Sequence, residues 1–148
     1  MKSIRKILYA TDFSESSEPA CAYALTLAQL AGAGIHVLHV IGELADNRRS
    51  RIPPEAFELF EKELEIHVVK EMKEFCKRHL GDQVAYTTEI AIGTPFQVIL
   101  DRVAKTGSDL IVMGTHGRTG IEHILVGSTA ERVMRRSTVP VLTVRAPS

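Results

Sequence analysis

The chain has 148 residues, 45% of them hydrophobic and 24% charged, and its 18 lysines and arginines balance 18 aspartates and glutamates. That length suits a single domain over residues 1–148, and the composition is that of an ordinary globular protein. A formal charge of zero supplies no global field to gather a nucleic-acid backbone, no apolar run approaches the roughly 18 residues of a membrane span, and the short basic start is no signal peptide, so a cytoplasmic protein without nucleic-acid or membrane partners is expected.

Residues 4–10 (IRKILYA) are a compact β-prone run ending at Thr11-Asp12-Phe13-Ser14. Ser14, Ser16 or Ser17 can cap the next helix, with Pro19 in its first turn, and that helix stops at Gly32 or Gly34. Residues 35–41 form a second strand, apolar except at His36 and His39, as suits a strand covered on both faces. Residues 42–53 are the one long irregular segment. The helix that follows, from Pro54 to about His79, carries Phe57, Phe60, Leu64, Val68, Met72 and Phe75 at spacings of three and four, and Gly81-Asp82 ends it. Residues 84–92 read as a third strand; Thr94 then caps a helix with Pro95 at its first position, running through Ala104 and closed by Gly107. Residues 109–113 are a fourth strand, after which Gly114, Gly117, Gly120 and Gly127 crowd into one stretch before a helix over residues 128–136. Residues 139–144 form the last strand, and Pro140 within it removes a ladder donor, which places that strand at an edge.

Strands alternating with helices demand right-handed crossovers and a mostly parallel, doubly wound α/β sheet with helices on both faces. Ligands of such sheets sit beyond the carboxyl ends of the strands, where strand order reverses. Two strand ends carry unusual sequence: Ala10-Thr11-Asp12 after the first, and the run from Met113 to Thr129 after the fourth. In the latter, Gly114 and Gly117 would let the backbone turn sharply and approach a ligand closely. Gly127-Ser128-Thr129 opens a helix whose amide donors and dipole favour phosphate, and the two hydroxyls add donors. The plainer reading is a glycine-rich loop leading into a helix. No Lys follows these glycines as a P-loop requires, and Thr11-Asp12-Phe13-Ser14 stands where a dinucleotide fingerprint belongs, so neither a P-loop NTPase nor a typical NAD enzyme is supported.

Gly114-x2-Gly117-x9-Gly127-Ser128 matches the G-x2-G-x9-G-[ST] signature of the ATP-binding branch of the universal stress protein family, and the resemblance extends from ILYATDFSESS through SDLIVMGTHGRTG to VPVLTVR. The resemblance implies a Rossmann-like fold of the adenine nucleotide alpha hydrolase-like class, with five parallel strands in the order 3-2-1-4-5 and the nucleotide between the ends of strands one and four. It implies that Asp12 bonds the ribose hydroxyls or approaches the triphosphate, with Ala10 and Thr11 lining the pocket. It further implies that the backbone of Val40 meets the adenine, that Met113 and Gly114 close over adenine and ribose, and that His116 and Gly117 line the phosphate path to Gly127, Ser128 and Thr129. The implied ligand is ATP, with Mg²⁺ or Mn²⁺ as candidate companion ion. A carboxylate can accept two hydroxyl hydrogen bonds, which suits the ribose role, while as a bare residue Asp12 also suits a turn or helix cap. Members of the family form homodimers by antiparallel pairing of the last strand, here carrying Val139, Val141 and Val144; Pro140 would limit which of its hydrogen bonds can form.

The other constellations read structurally. Cys21 and Cys76 lie in apolar helical patterns as small buried hydrophobes. His36 and His39, three apart on a strand, face opposite ways and cannot share a metal. His116 and His123 bracket the glycine loop without a matching carboxylate or Cys, and His67 and His79 need no function. Arg48, Arg49 and Arg51 suit a solvated loop, Arg135 and Arg136 complement a helix C-terminus, and residues 55–77 present an ordinary charged face. The resulting expectation is a small stress-survival module that acts by nucleotide occupancy. A slow ATP-hydrolysing or phosphoryl- or nucleotidyl-transferring enzyme is the second reading, weakened by the lack of a P-loop Lys or a second acidic metal ligand beside Asp12. A nucleotide-free interaction module is the third, opposed by the intact glycine signature.

Overall fold

A computed structural model of the chain describes residues 1–42, 53–116 and 126–147. Strands β1 (Lys6–Ala10), β2 (Gly34–Ile41), β3 (Tyr86–Ile92), β4 (Leu110–Gly114) and β5 (Val141–Val144) alternate with helices α1 (Glu18–Ala31), α2 (Pro54–His79), α3 (Pro95–Thr106) and α4 (Ser128–Arg136). The strands form one parallel sheet in the order β3-β2-β1-β4-β5. This is the expected doubly wound topology.

The period of two along each strand divides the core. Ile7 and Tyr9 of β1, with Ile35 and Val37 of β2, face Ala20, Cys21, Ala24 and Ala28 of α1 and Met72, Phe75 and Cys76 of α2. Leu8, Leu38, Ile111 and Met113 point the other way, onto Phe96, Ile99 and Val103 of α3 and Ala130 and Val133 of α4. The small residues at four-residue spacing along α1 let that helix lie close to the sheet, and Gly32 ends it in a left-handed conformation at φ 67°. Cys21 and Cys76 are free and buried, and burial pushes their thiols up to about 12 and about 11, so both are inert packing residues.

Tertiary contacts trimmed several expected elements. β1 begins at Lys6 rather than at Ile4, because the Asp109 carboxylate accepts the Arg5 and Lys6 amides at 2.8 and 3.1 Å. β3 begins at Tyr86, after the amide of Gln83 has closed a turn onto the Leu80 carbonyl. α2 spans 26 residues, and its apolar stripe is buried only at its C-terminal half: Val68, Met72, Phe75 and Cys76 lie in the core, while Phe60 is 49% exposed. The helix outruns the sheet, since 26 residues at about 1.5 Å each exceed any strand here.

His36 and His39 face opposite sides of β2. The Nδ1 of His36 pairs with the Thr87 hydroxyl at 2.7 Å and its Nε2 with Glu89 at 2.9 Å, and Glu89 also binds Arg102. Burial of the Glu89 carboxyl raises its pKa, but the hydrogen bonds from Arg102 and His36 outweigh that and hold it below the ordinary range. Pro140 sits just before β5 rather than inside it, and its carbonyl accepts the Ile111 amide at 3.0 Å. Because N–H and C=O of a strand residue project to the same side, the missing donor faces β4, and the outer edge of β5 keeps the amides of Val141 and Thr143.

Candidate functional site

Strand order reverses at β1, whose neighbours β2 and β4 are reached by crossovers on opposite faces of the sheet. Beyond the carboxyl ends of β1 and β4 lies a cavity of about 420 Å³, within the range of small-molecule sites. Ala10, Thr11 and Asp12 reach it from the end of β1, and Val40 from β2. Met113, Gly114 and His116 line it from β4 and the residues after it, and Gly127, Ser128 and Thr129 from the start of α4. Every residue expected at the site within the described part of the chain is therefore on this one cavity. Gly117 lies outside the described residues, as do Gly120, His123 and the arginines 48, 49 and 51.

Six lining residues escaped the sequence reading: Ser17, Leu38, Pro95, Ile99, Thr115 and Ala130. Two carried a usable signal. Leu38 shares a sheet face with Val40, two residues on, and Ile99 lies one helical turn after Pro95. On the β2–α3 side the wall is apolar, with Leu38, Val40, Pro95 and Ile99; towards α4 it carries hydroxyls and the His116 ring.

The β1 end is shaped by a short hydrogen-bond chain. Thr11 donates its amide to the Leu38 carbonyl at 3.0 Å, and its hydroxyl meets that of Ser17 at 2.9 Å. The Ser17 hydroxyl donates in turn to the Ser14 carbonyl at 2.9 Å, so Ser17 holds the turn rather than capping α1 with its side chain. The buried Tyr9 hydroxyl donates to the Ser17 carbonyl at 2.9 Å, and burial pushes its pKa well above the ordinary value. Asp12 Oδ1 accepts the Ser14 amide at 3.0 Å and the Ser14 hydroxyl, so the carboxylate holds a turn and lines the cavity at once. Phe13 stands at φ 65°, a conformation that costs an L-residue roughly 1–2 kcal/mol. Its ring is held between His39, at 4.4 Å between centroids, and Phe75, at 5.6 Å.

Gly114 and Gly127 differ in what the backbone asks of them. Gly114 is the last residue of β4 and has no left-handed φ; a Cβ there would make only an ordinary 3.5 Å contact with the Ser16 carbonyl, so no sharp turn explains it. Gly127 is the demanding position. Its amide donates to the Thr115 carbonyl at 2.6 Å, and a Cβ would stand 3.0 Å from that same oxygen. Gly127 thus lets α4 start against the end of β4.

Gly127 is also the N-cap of α4 and offers no capping side chain. The first intrahelical bond runs from the Glu131 amide to the Gly127 carbonyl at 3.0 Å, so the amides of Ser128, Thr129 and Ala130 have no partner within the helix. All three residues line the cavity. Positive helix end, hydroxyls and backbone donors together suit an anionic group there. Among the described residues no three His, Cys, Asp or Glu side chains converge as a metal cluster, and no helix is long and apolar enough to cross a membrane.

Residues 3–145 match the universal stress protein family. Universal stress protein MJ0577 of Methanocaldococcus jannaschii is 34% identical over 154 aligned residues, covering 95% of this chain and 94% of the relative. The solved structure of MJ0577 matches with a TM-score of 0.80 over 99% of both chains. Two more distant solved structures share the fold: a universal stress protein in complex with cAMP, at TM-score 0.71 and 21% identity over 99% of this chain and 100% of that one, and one from Archaeoglobus fulgidus in complex with dAMP, at 0.57 and 19% over 98% and 100%. A family match across nearly the whole length, with a solved relative of the same fold, leads to one conclusion: the chain belongs to the universal stress protein family.

Proposed function

We propose that this chain binds ATP in the cavity between the ends of β1 and β4 and that occupancy of that cavity is its signal. One observation carries the reading: the uncapped start of α4 opens into the same cavity that presents an apolar wall on the β2–α3 side and the Asp12 carboxylate between. In this arrangement the adenine lies against Val40 and Met113, Asp12 accepts the ribose hydroxyls, and the phosphates lie along His116 towards Gly127, Ser128 and Thr129. Gly117 would complete the phosphate path. The cAMP and dAMP held by the two solved relatives belong to the same ligand class. Asp12 and the Ser128 and Thr129 hydroxyls are hard oxygen donors, which suits Mg²⁺ or Mn²⁺ arriving with the nucleotide, since Mg²⁺ is commonly held by one or two carboxylates together with substrate phosphates. Such an ion would neutralise phosphate charge beside Asp12.

In the same proposal the chain is one domain, acts in the cytoplasm, where two buried free thiols are at home, and forms a homodimer by antiparallel pairing of β5. The outward amides and carbonyls of Val141 and Thr143 supply the pairing groups. ATP at about 100 times its dissociation constant would add roughly 2.7 kcal/mol to the stability of the occupied state.

The test is direct. Denaturing freshly purified protein should release adenine nucleotide, and ATP with Mg²⁺ should raise the melting temperature of nucleotide-free protein. Neither release nor shift would sink the reading. Rapid multiple turnover of ATP would replace it with an enzyme.

A further inference from the structure

The turn that carries Asp12 is held from behind, on the side of the sheet away from the cavity. His39 of β2 places its Nδ1 2.7 Å from the Thr11 carbonyl oxygen. A carbonyl only accepts, so Nδ1 carries a proton and donates it. The same imidazole stacks on Phe13, with ring centroids 4.4 Å apart and planes 24° from parallel. One side chain therefore touches the residue before Asp12 and the residue after it.

The remaining bonds of the turn are mostly local. Phe13 donates its amide to Thr11 Oγ1, and Ser14 donates its amide to Asp12 Oδ1, each at 3.0 Å. These set the shape of the turn but not its place on the sheet. Contact with β2 sets that place, through the Thr11 amide on the Leu38 carbonyl at 3.0 Å and through His39. Phe13 has a further need of support, because its φ of 65° is one that an aromatic residue keeps only where its surroundings hold it. His39 and Phe75 are the rings that hold it.

We propose that His39 is a positioning residue of the nucleotide site: by donating to the Thr11 carbonyl and stacking on Phe13 it sets where the Asp12 carboxylate stands, and so how tightly the ribose of a bound adenine nucleotide is held. The proposal rests on the reading of the cavity as a nucleotide site. It assigns a task to a histidine that otherwise reads as half-buried packing, and it divides that task into two separable parts, a donor and a ring.

Three variants separate the parts. His39→Phe keeps the ring and loses the donor, His39→Asn keeps a donor at the position of Nδ1 and loses the ring, and His39→Ala loses both. Two measurements are made on each folded variant: amide hydrogen exchange over residues 11–14 without ligand, and calorimetric affinity for ATP and for 2′-deoxy-ATP. Wild type is expected to bind ATP more tightly than 2′-deoxy-ATP, because the deoxy sugar lacks one of the hydroxyls that Asp12 would accept. His39→Ala is expected to speed exchange of the Phe13 and Ser14 amides and weaken ATP by about tenfold, the scale of one lost hydrogen bond to a buried acceptor. It should weaken 2′-deoxy-ATP far less, and His39→Asn should recover most of the preference for ribose. Unchanged exchange in His39→Ala overturns the proposal, as does an equal loss for both nucleotides. A wild type that binds neither nucleotide overturns the cavity reading and the ribose role with it; exchange measured without ligand then still decides whether His39 holds the turn.

Discussion

Replacing Gly127 with alanine tests the contact that joins the two sides of the site. At φ −70° and ψ 162° the position is open to any residue, so alanine meets no backbone strain there. The cost comes from space and from capping. The new Cβ would lie 3.0 Å from the Thr115 carbonyl oxygen and 3.7 Å from the His116 Cα. Thr115 has little freedom to retreat, since its amide is bonded to the Val144 carbonyl at 3.1 Å and its carbonyl accepts the Gly127 amide at 2.6 Å. Alanine is also a poorer N-cap than glycine. Together these should cost about 1–2 kcal/mol, or a melting temperature lower by about 3–8 °C in a chain of this size. Thr115, His116, Ser128 and Thr129 all line the cavity, so spreading β4 from α4 should also weaken ATP by about tenfold, or 1.4 kcal/mol. Calorimetry with and without ATP measures both effects. Gly107→Ala is the control: it places alanine at φ 67°, at the end of α3 away from the cavity, and should lower stability while leaving ATP affinity intact. A Gly127→Ala protein as stable as wild type and with unchanged affinity would refute the idea that this close approach shapes the cavity at the start of α4.

Two further predictions concern the scaffold. The amides of Arg5 and Lys6 hold the Asp109 carboxyl below its usual range. A depressed folded pKa contributes stability that is present above the unfolded value of about 4 and is lost as pH falls through the folded one. Asp109→Ala should therefore be less stable than wild type at pH 7, and urea titrations should show the gap narrowing below about pH 4; a gap independent of pH would refute the assignment. Phe60 and Phe75 share one stripe on α2 but not one environment. Phe75→Ala, at 2% exposure, should cost about 3–5 kcal/mol, and Phe60→Ala, at 49%, less than about 0.5, by urea unfolding. Equal costs would mean that the outer half of α2 is packed after all.

The alternation of short apolar strands with amphipathic helices determined the fold class from the sequence alone, because a period of two and a period of 3.6 leave few other ways to bury those faces. Glycine and proline determined the punctuation: Gly32 and Gly107 end helices at φ 67°, and Pro19 and Pro95 begin them. Most of the site was legible too, as residues at the ends of β1, β2 and β4 together with the start of α4, since a parallel sheet brings those ends together wherever its order reverses. Other features were decided by contacts between residues distant in sequence. The periodicity of α2 is the same where the sheet lies beneath it and where the sheet has ended, so Phe60 and Phe75 cannot be told apart in the chain. The role of Gly127 depends on a carbonyl twelve residues earlier, and the turn that carries Asp12 meets His39, whose partners Thr11 and Phe13 lie on another strand end and become its neighbours only when β1 and β2 pair. Local pattern specifies what each segment becomes; only tertiary pairing decides what it then touches.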